Sequence, residues 1–273
     1  MLRAQDRSRA IYGVDFSGAR DAGKKIWIAR GTIEGAGLSV TACFQVKDLA
    51  DSGKDRDRGL SVLRAFIMRE NQSVFGMDFP FGIPKALIKE ENWERWARAF
   101  KDSYGSPDEF RRFCRATSGG KELKRFTDRK VVTPFSPYNL RVYRQTYFGI
   151  RDVLGALLRE NAICVLPMQK PVPRRAWVIE ICPASTLRRE GLSSPYKGGG
   201  ERRRVARSGI LRGLEDMGSL RIREQALRST IINEKGGDAL DSVVAAFATY
   251  RALKCEFAFD KGAPYGLEGW VYA

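Results

Sequence analysis

The 273-residue sequence contains no histidine, and this absence excludes more chemistry than any other feature of its composition. Catalytic sites of the Ser-His-Asp and Cys-His types need an imidazole, and nearly all zinc hydrolase sites use one as a ligand. An enzyme with this sequence therefore has to work with carboxylates, lysine, arginine, tyrosine, cysteine or a hard metal ion.

Cysteines and long apolar runs are scarce as well. The five cysteines are scattered without a Cys-x-x-Cys spacing, which predicts reduced and mostly buried thiols instead of a disulfide framework. No apolar run approaches the length that a membrane span needs, and residues 1–9 are charged with no apolar signal region behind them. We expect a cytoplasmic protein that makes no use of a membrane.

Acidic residues are outnumbered by basic ones, 32 against 48, which gives a formal net charge of +16. Such an excess attracts polyanions, so nucleic acid, either DNA or RNA, is the first partner to expect. Many basic proteins bind no nucleic acid, and a merely solvated charged surface is the alternative. With 43% hydrophobic residues, the chain can bury one large core, and we predict a single domain over residues 1–273.

The first part of the sequence predicts a mixed sheet. Residues 10–15 form a compact apolar run typical of a buried strand, and residues 25–30 and 38–46 predict two more strands in an antiparallel meander. Apolar residues at helical spacing follow over residues 58–70, before another buried strand over residues 73–78. A strand reached through a helix is usually parallel to the first.

Both of these buried strands end in an aspartate, Asp15 and Asp78. Parallel neighbours would place the two side chains at the same carboxyl-terminal edge of the sheet, facing one crevice. An ionised carboxylate at the end of an apolar run needs backbone N–H groups or a cation as partner, because desolvating it alone is costly. An ordinary Asx turn is the alternative explanation for each.

A third acidic strand end follows at Glu180, inside the apolar run of residues 176–181. A buried unpaired carboxylate is either protonated or recruits a cation. The alternative is a position on a wet sheet edge or a pairing with an arginine.

Two further acids, Asp238 and Asp241, begin a long alanine-rich helix after Gly236 and Gly237. Being three residues apart, they lie on the same face of its first turn. The alternative is that Asp238 caps the helix and that both acids complement its dipole.

Residues 85–160 interrupt this pattern with a predicted helical, basic insertion. Trp93, Trp96 and Phe100 share one helix face, which indicates core packing. Between residues 110 and 129, arginine and lysine interleave with phenylalanine, which suits phosphates and unstacked bases, although a solvated face explains it equally well.

Residues 196–214 combine three consecutive glycines with a run of arginines, which predicts a mobile arm followed by a charged helix. The glycines are not a Walker-type phosphate loop, since no Gly-Lys-Ser/Thr follows them.

The order of these motifs resembles the family catalogued as domain of unknown function 429. The resemblance covers nearly the whole chain and is carried by Gly-Val-Asp-Phe-Ser, Met-Asp-Phe-Pro-Phe-Gly-Ile-Pro, Val-Ile-Glu-Ile-Cys-Pro-Ala, Asp-Ala-Leu-Asp-Ser-Val-Val-Ala-Ala and a final Glu-Gly-Trp. That family is regarded as a set of predicted nucleases with a ribonuclease-H-like fold. It implies an α/β domain whose mixed sheet has three antiparallel strands and then parallel ones, with helices on both faces. The large helical insertion over residues 85–160 departs from the minimal form of that fold.

The resemblance also implies which residues bind metal. The start of the last long helix is similar to that of bacterial Holliday-junction resolvases, in which acids on the first strand, a later strand and the last helix hold the ion. Carried over by position, the metal-binding acids are Asp15, Asp78, Asp238 and Asp241, with Glu180 as an additional candidate. The expected catalytic residues among them are Asp15, Asp78, Glu180 and Asp241.

Elementary electrostatics supports the same expectation. Two carboxylates about 5 Å apart repel each other by roughly 3 kcal/mol at an effective dielectric near 20, so several of them together require a cation. Mg²⁺ or Mn²⁺ binds carboxylate oxygens without histidine and can activate water for attack on a phosphodiester. We therefore expect a metal-dependent nuclease.

Two other classes stay open. Actin-like and sugar-kinase-like phosphotransferases share this sheet topology and also use strand-end aspartates with magnesium. The second possibility is a non-catalytic nucleic-acid-binding protein, whose binding would be sensitive to salt and indifferent to metal.

Overall fold

The computed structural model describes residues 8–273, so most of the charged N-terminal stretch over residues 1–9 lies outside the described residues. Eight strands in the described part form one mixed sheet in the order β5-β6-β4-β1-β2-β3-β7, with β8 paired to β6. The strands are β1 (Ala10–Asp15), β2 (Trp27–Glu34), β3 (Gly37–Gln45), β4 (Ser73–Met77), β5 (Ile163–Val165), β6 (Ala176–Ile181), β7 (Leu220–Arg221) and β8 (Val271–Tyr272).

The pairing of these strands confirms the predicted order of antiparallel and then parallel neighbours. β1 pairs antiparallel with β2, which pairs antiparallel with β3. All other pairs are parallel, including β1 with β4 and β4 with β6. β1 therefore lies in the interior of the sheet, between β2 and β4.

Helices connect the strands and surround the sheet. The α-helices are α1 (Ala22–Lys25), α2 (Arg56–Arg69), α3 (Trp93–Ser103), α4 (Pro107–Thr117), α5 (Phe126–Lys130), α6 (Tyr143–Phe148), α7 (Gly155–Arg159), α8 (Pro183–Arg189), α9 (Glu201–Asp216), α10 (Gln225–Asn233), α11 (Asp238–Lys254) and α12 (Tyr265–Glu268). A π-helical stretch, Gly149–Leu154, joins α6 to α7. None of the helices in residues 8–273 combines the length and the apolar character that crossing a bilayer requires.

Alternation of side chains along β1 and β4 divides the core into two halves. On one face Tyr12 stacks on Phe75 with ring centroids 4.7 Å apart, and Phe66 of α2 meets Tyr12 edge-on. On the opposite face Ile11 and Val74 belong to the core that includes the buried side of α11. Helices thus cover both faces, as predicted.

Two glycines allow α11 to lie directly on the sheet. Gly13 of β1 and Gly76 of β4 are neighbours in register. A Cβ on Gly13 would lie 2.1 Å from both Ser242 O and Ala246 N, and one on Gly76 would lie 1.8 Å from Thr249 Oγ1. Because only glycine permits this approach, the first turns of α11 are held against the carboxyl end of β1.

The chain between β4 and β5 contains α3 to α7 and forms the predicted helical insertion. Trp93, Trp96 and Phe100 are buried in the core, as their helical spacing indicates, and Trp93 Nε1 donates to Phe81 O at 2.7 Å. The aromatic face of α3 therefore serves packing.

Candidate acidic site at the carboxyl edge of the sheet

Asp15 and Asp78 lie side by side at the carboxyl ends of two parallel neighbours. Asp15 is the last residue of β1, and Asp78 directly follows β4, where its N–H donates to Val14 O at 3.0 Å. Alternation along β1 and β4 puts both residues in phase with Gly13 and Gly76, the positions that contact α11. The predicted convergence of these two aspartates follows from the register of the sheet.

The first turn of α11 brings Asp238 and Asp241 to the same edge. Gly237, with a φ of +85°, is the N-cap, and as a glycine it has no side chain to cap the first N–H groups of the helix. The Ala239 N–H is instead accepted by Glu234 Oε2 at 3.3 Å. Asp238 is therefore not the N-cap that the alternative explanation required, while Asp241 is buried beneath the turn.

Lys197 and Tyr196 complete the site from the segment between α8 and α9. Lys197 Nζ lies 2.5 Å from Asp241 Oδ2, and the Tyr196 hydroxyl donates to the other oxygen of the same carboxylate. Buried Arg207 of α9 donates to Tyr196 O at 2.7 Å and to Gly198 O at 3.0 Å, one on each side of the lysine. The arm that the glycines predict as mobile is thus tied down at its start.

The aspartates disturb one another's protonation. Burial raises the pKa of Asp15 well above its usual range, and the charge of Asp241 raises it further. Burial, followed by the same neighbour, raises the pKa of Asp78 to about 8. Burial is also the main cause of the raised pKa values of Asp238, to about 6, and of Asp241. Lys197 counteracts the rise in all four, and Lys25 adds to its effect at Asp238.

Glu180 has a different environment from the aspartates. Its two carboxylate oxygens accept from Arg125 at 2.8 and 2.5 Å, and the Phe81 N–H adds a third hydrogen bond at 2.9 Å. Arg125 also pairs with Asp128, so one buried guanidinium joins two buried carboxylates. The arginine pairing named as the alternative is the arrangement found, and we leave Glu180 out of the candidate cation site.

The physical reason is strand alternation. Ile179 and Ile181 of β6 belong to the core on the α11 side, so Glu180 between them projects to the opposite side, toward the insertion that carries Arg125. Burial still raises the pKa of Glu180, and Arg125 opposes this rise.

The final Glu-Gly-Trp motif belongs to the same structural cluster. Glu268 accepts from the N–H of Lys85 at 2.7 Å and from that of Phe126 at 2.6 Å, and its own carbonyl accepts from Arg125 at 3.1 Å. These contacts hold the segment around Glu268 against the start and the middle of the insertion.

A cavity of about 340 Å³ opens beside the aspartates. Its lining includes residues of the site, of the insertion and of the start of α8, among them Asp78, Phe135, Gln145, Pro183, Lys197 and Asp241. A larger cavity of about 540 Å³, lined by residues of α8 and the second half of α11, contacts none of the aspartates.

The donor chemistry of the cluster suits a hard divalent cation, because it offers several carboxylate oxygens close enough to raise one another's pKa values. Within residues 8–273, no three or more acidic or cysteine side chains are arranged to hold a metal ion as they stand. Lys197 supplies the positive charge instead. Sequence reasoning missed this lysine, because its only local signal is a glycine-rich stretch that also fits a linker.

Comparisons with protein-family models, with curated proteins and with solved structures found no match for this chain. The resemblance to domain of unknown function 429 stays a prediction.

Proposed function

We propose that this protein is a metal-dependent nuclease that hydrolyses phosphodiester bonds in nucleic acid. The observation that carries the proposal is the meeting of Asp15, Asp78 and Asp241 at one edge of the sheet, where burial and then the charges of neighbouring aspartates raise the pKa values of Asp15 and Asp78. Such shifts cluster at functional sites, because bringing like charges together costs stability that a structural role does not require.

Asp15, Asp78 and Asp241 would hold Mg²⁺ or Mn²⁺, with Asp238 at the more exposed side. When bound, the ion would supply activation of water and stabilisation of the oxygens around the phosphorus. The formal charge of +16 favours approach of a polyanion to the protein as a whole. Lys197, which is half exposed, is the cation of this cluster that a phosphate would meet first.

The arrangement of the acids also supports a finer description of the fold. Three antiparallel strands precede the parallel ones, and the acids lie at the ends of β1 and β4 and at the start of the last long helix. We propose a ribonuclease-H-like domain on this basis. Membership of domain of unknown function 429 is part of the same proposal.

Cleavage of labelled single-stranded, duplex, hybrid and branched oligonucleotides with Mg²⁺ or Mn²⁺ tests the activity. We expect cleavage that the Asp15→Asn and Asp241→Asn variants lose, while the matched variant Asp102→Asn, at an exposed position on α3, retains it. Binding of Mn²⁺, measured by calorimetry, should weaken in the same two variants.

Three results would contradict the proposal and point elsewhere. Cleavage that survives Asp15→Asn rules out this site. Thermal stabilisation by nucleotides without cleavage favours a phosphotransferase. Salt-sensitive binding that is indifferent to metal and to the acid variants favours a non-catalytic binder.

A further inference from the structure

We infer that the site acts on unpaired nucleotides, so that single-stranded nucleic acid or a locally opened end is the substrate. The inference rests on the proposed function and adds the strand state. It comes from the cavity of about 340 Å³, because Asp78 and Asp241 line this cavity instead of standing on an open surface.

The size of the cavity limits what can enter it. Its volume is near the lower end of the range of roughly 300–1,000 Å³ that is typical of small-molecule sites. One nucleotide fits such a space, whereas a stacked base pair with its two backbones does not. A nucleotide of an intact duplex has to leave the helix first, at the cost of its pairing and stacking.

The walls of the cavity contact the carboxyl edge of the sheet, where the aspartates lie. Gln145 of the insertion donates to Asp78 O. A Cβ on Gly18, just after β1, would lie 2.5 Å from Arg144 O, so the insertion packs against the turn that follows Asp15. The wall therefore cannot withdraw to admit a duplex without breaking the contacts that position the site.

Prolines stiffen the same walls. Pro80, Pro134 and Pro183 line the cavity from three separate segments, and each has its φ locked by its ring. On the remaining side, the segment that carries Tyr196 and Lys197 is held by Arg207, which donates to Tyr196 O and Gly198 O. The cavity is preformed, which lowers the entropic cost of binding one flexible nucleotide.

Phe135 offers a surface on which an unpaired base can stack. Its side chain lines the cavity and is half buried, and the Arg141 guanidinium lies 5.4 Å from the ring centroid. Stacking on aromatic side chains is how proteins hold single strands with little sequence preference. A base on Phe135 would leave its phosphate on the side of the aspartates and Lys197.

The test measures binding and cleavage of strands of one sequence, as single-stranded DNA, single-stranded RNA and blunt duplex. Binding is measured by fluorescence anisotropy with the Asp15→Asn variant, which should leave the strands uncut. This variant should bind single strands at least tenfold more tightly than the duplex. Phe135→Ala should weaken single-strand binding by roughly 5- to 150-fold, the range expected for one lost stacking contact. Leu140→Ala, at an exposed position of the same loop outside the cavity, should change it less than twofold.

Equal or tighter binding of the blunt duplex, or unchanged binding by Phe135→Ala, would overturn the inference.

In a cleavage assay, the native protein should cut single strands and the frayed end of a mismatched duplex faster than the blunt duplex. If nothing is cleaved, the proposed function fails, whereas the binding preference still decides the strand state. If only duplex is cleaved, the nuclease stands and this inference falls.

Discussion

Replacing Lys197 by methionine should tighten the binding of a divalent metal to the acidic site. Lys197 Nζ lies 2.5 Å from Asp241 Oδ2, so an ion that takes this oxygen has to displace the ammonium group. The carboxylate is 2% exposed and the lysine side chain 56% exposed, which places the pair between a surface and a buried salt bridge. Surface pairs contribute about 0–1 kcal/mol and disruption of buried ones costs about 3–5, so we assign this pair about 2 kcal/mol.

A free energy of about 2 kcal/mol corresponds to roughly thirtyfold in a dissociation constant. We expect Lys197→Met to bind Mn²⁺ about thirtyfold more tightly than the native protein in isothermal titration calorimetry. Without metal the variant should melt at a lower temperature, because the Tyr196 hydroxyl is then the one side chain among residues 8–273 that bonds to the buried Asp241 carboxylate.

Lys235→Met is the matched control, since it removes one positive charge from an exposed position whose carbonyl accepts from the Gly198 N–H. The charge of Lys235 is not among the main causes of the pKa shift of Asp241. Its affinity for Mn²⁺ should stay within about twofold of the native value, because exposed charges are screened by solvent. The reasoning is refuted if Lys197→Met binds the ion no more tightly than this control does.

Three further predictions concern stability. Gly13→Ala should lower the free energy of unfolding, measured in urea, by about 3 kcal/mol or more, because its Cβ would lie 2.1 Å from the backbone of α11. Gly209→Ala, with open space around its Cβ inside α9, should raise the same free energy by about 0.5–1 kcal/mol. Equal effects of the two substitutions would contradict the packing argument. The pKa of Asp78, raised to about 8, means that the folded protein holds a proton that the unfolded chain releases near pH 4, so stability falls as the pH rises from about 4 to 8. At pH 8 without metal, Asp78→Asn should raise the free energy of unfolding by about 1 kcal/mol or more relative to the native protein. It should also flatten the slope of stability against pH, and an unchanged slope would speak against the shift. Arg125→Met should cost about 3–5 kcal/mol by leaving two buried carboxylates unpaired, and adding Glu180→Gln should recover part of that loss, which a double-mutant cycle measures; strict additivity would argue against the pairing.

The sequence by itself determined the antiparallel arrangement of the first three strands, the parallel placement of β4 beside β1, and the edge at which Asp15 and Asp78 meet. All three follow from local information, because apolar runs of strand length, a helix between them and the handedness of parallel connections leave few other arrangements. The opposing glycines Gly13 and Gly76 were visible in the sequence, but only the structure gave them a role as the floor for α11.

The partners of Glu180 and Lys197 were decided by the tertiary structure alone. Whether Glu180 faces the aspartates or the insertion depends on which face of β6 packs against α11, and its arginine partner is 55 residues away in the chain. Lys197 reaches Asp241 only because buried Arg207 holds the chain on both sides of it. Short-range patterns place a charged residue on an element, whereas its partner is chosen by long-range packing, which no local pattern contains.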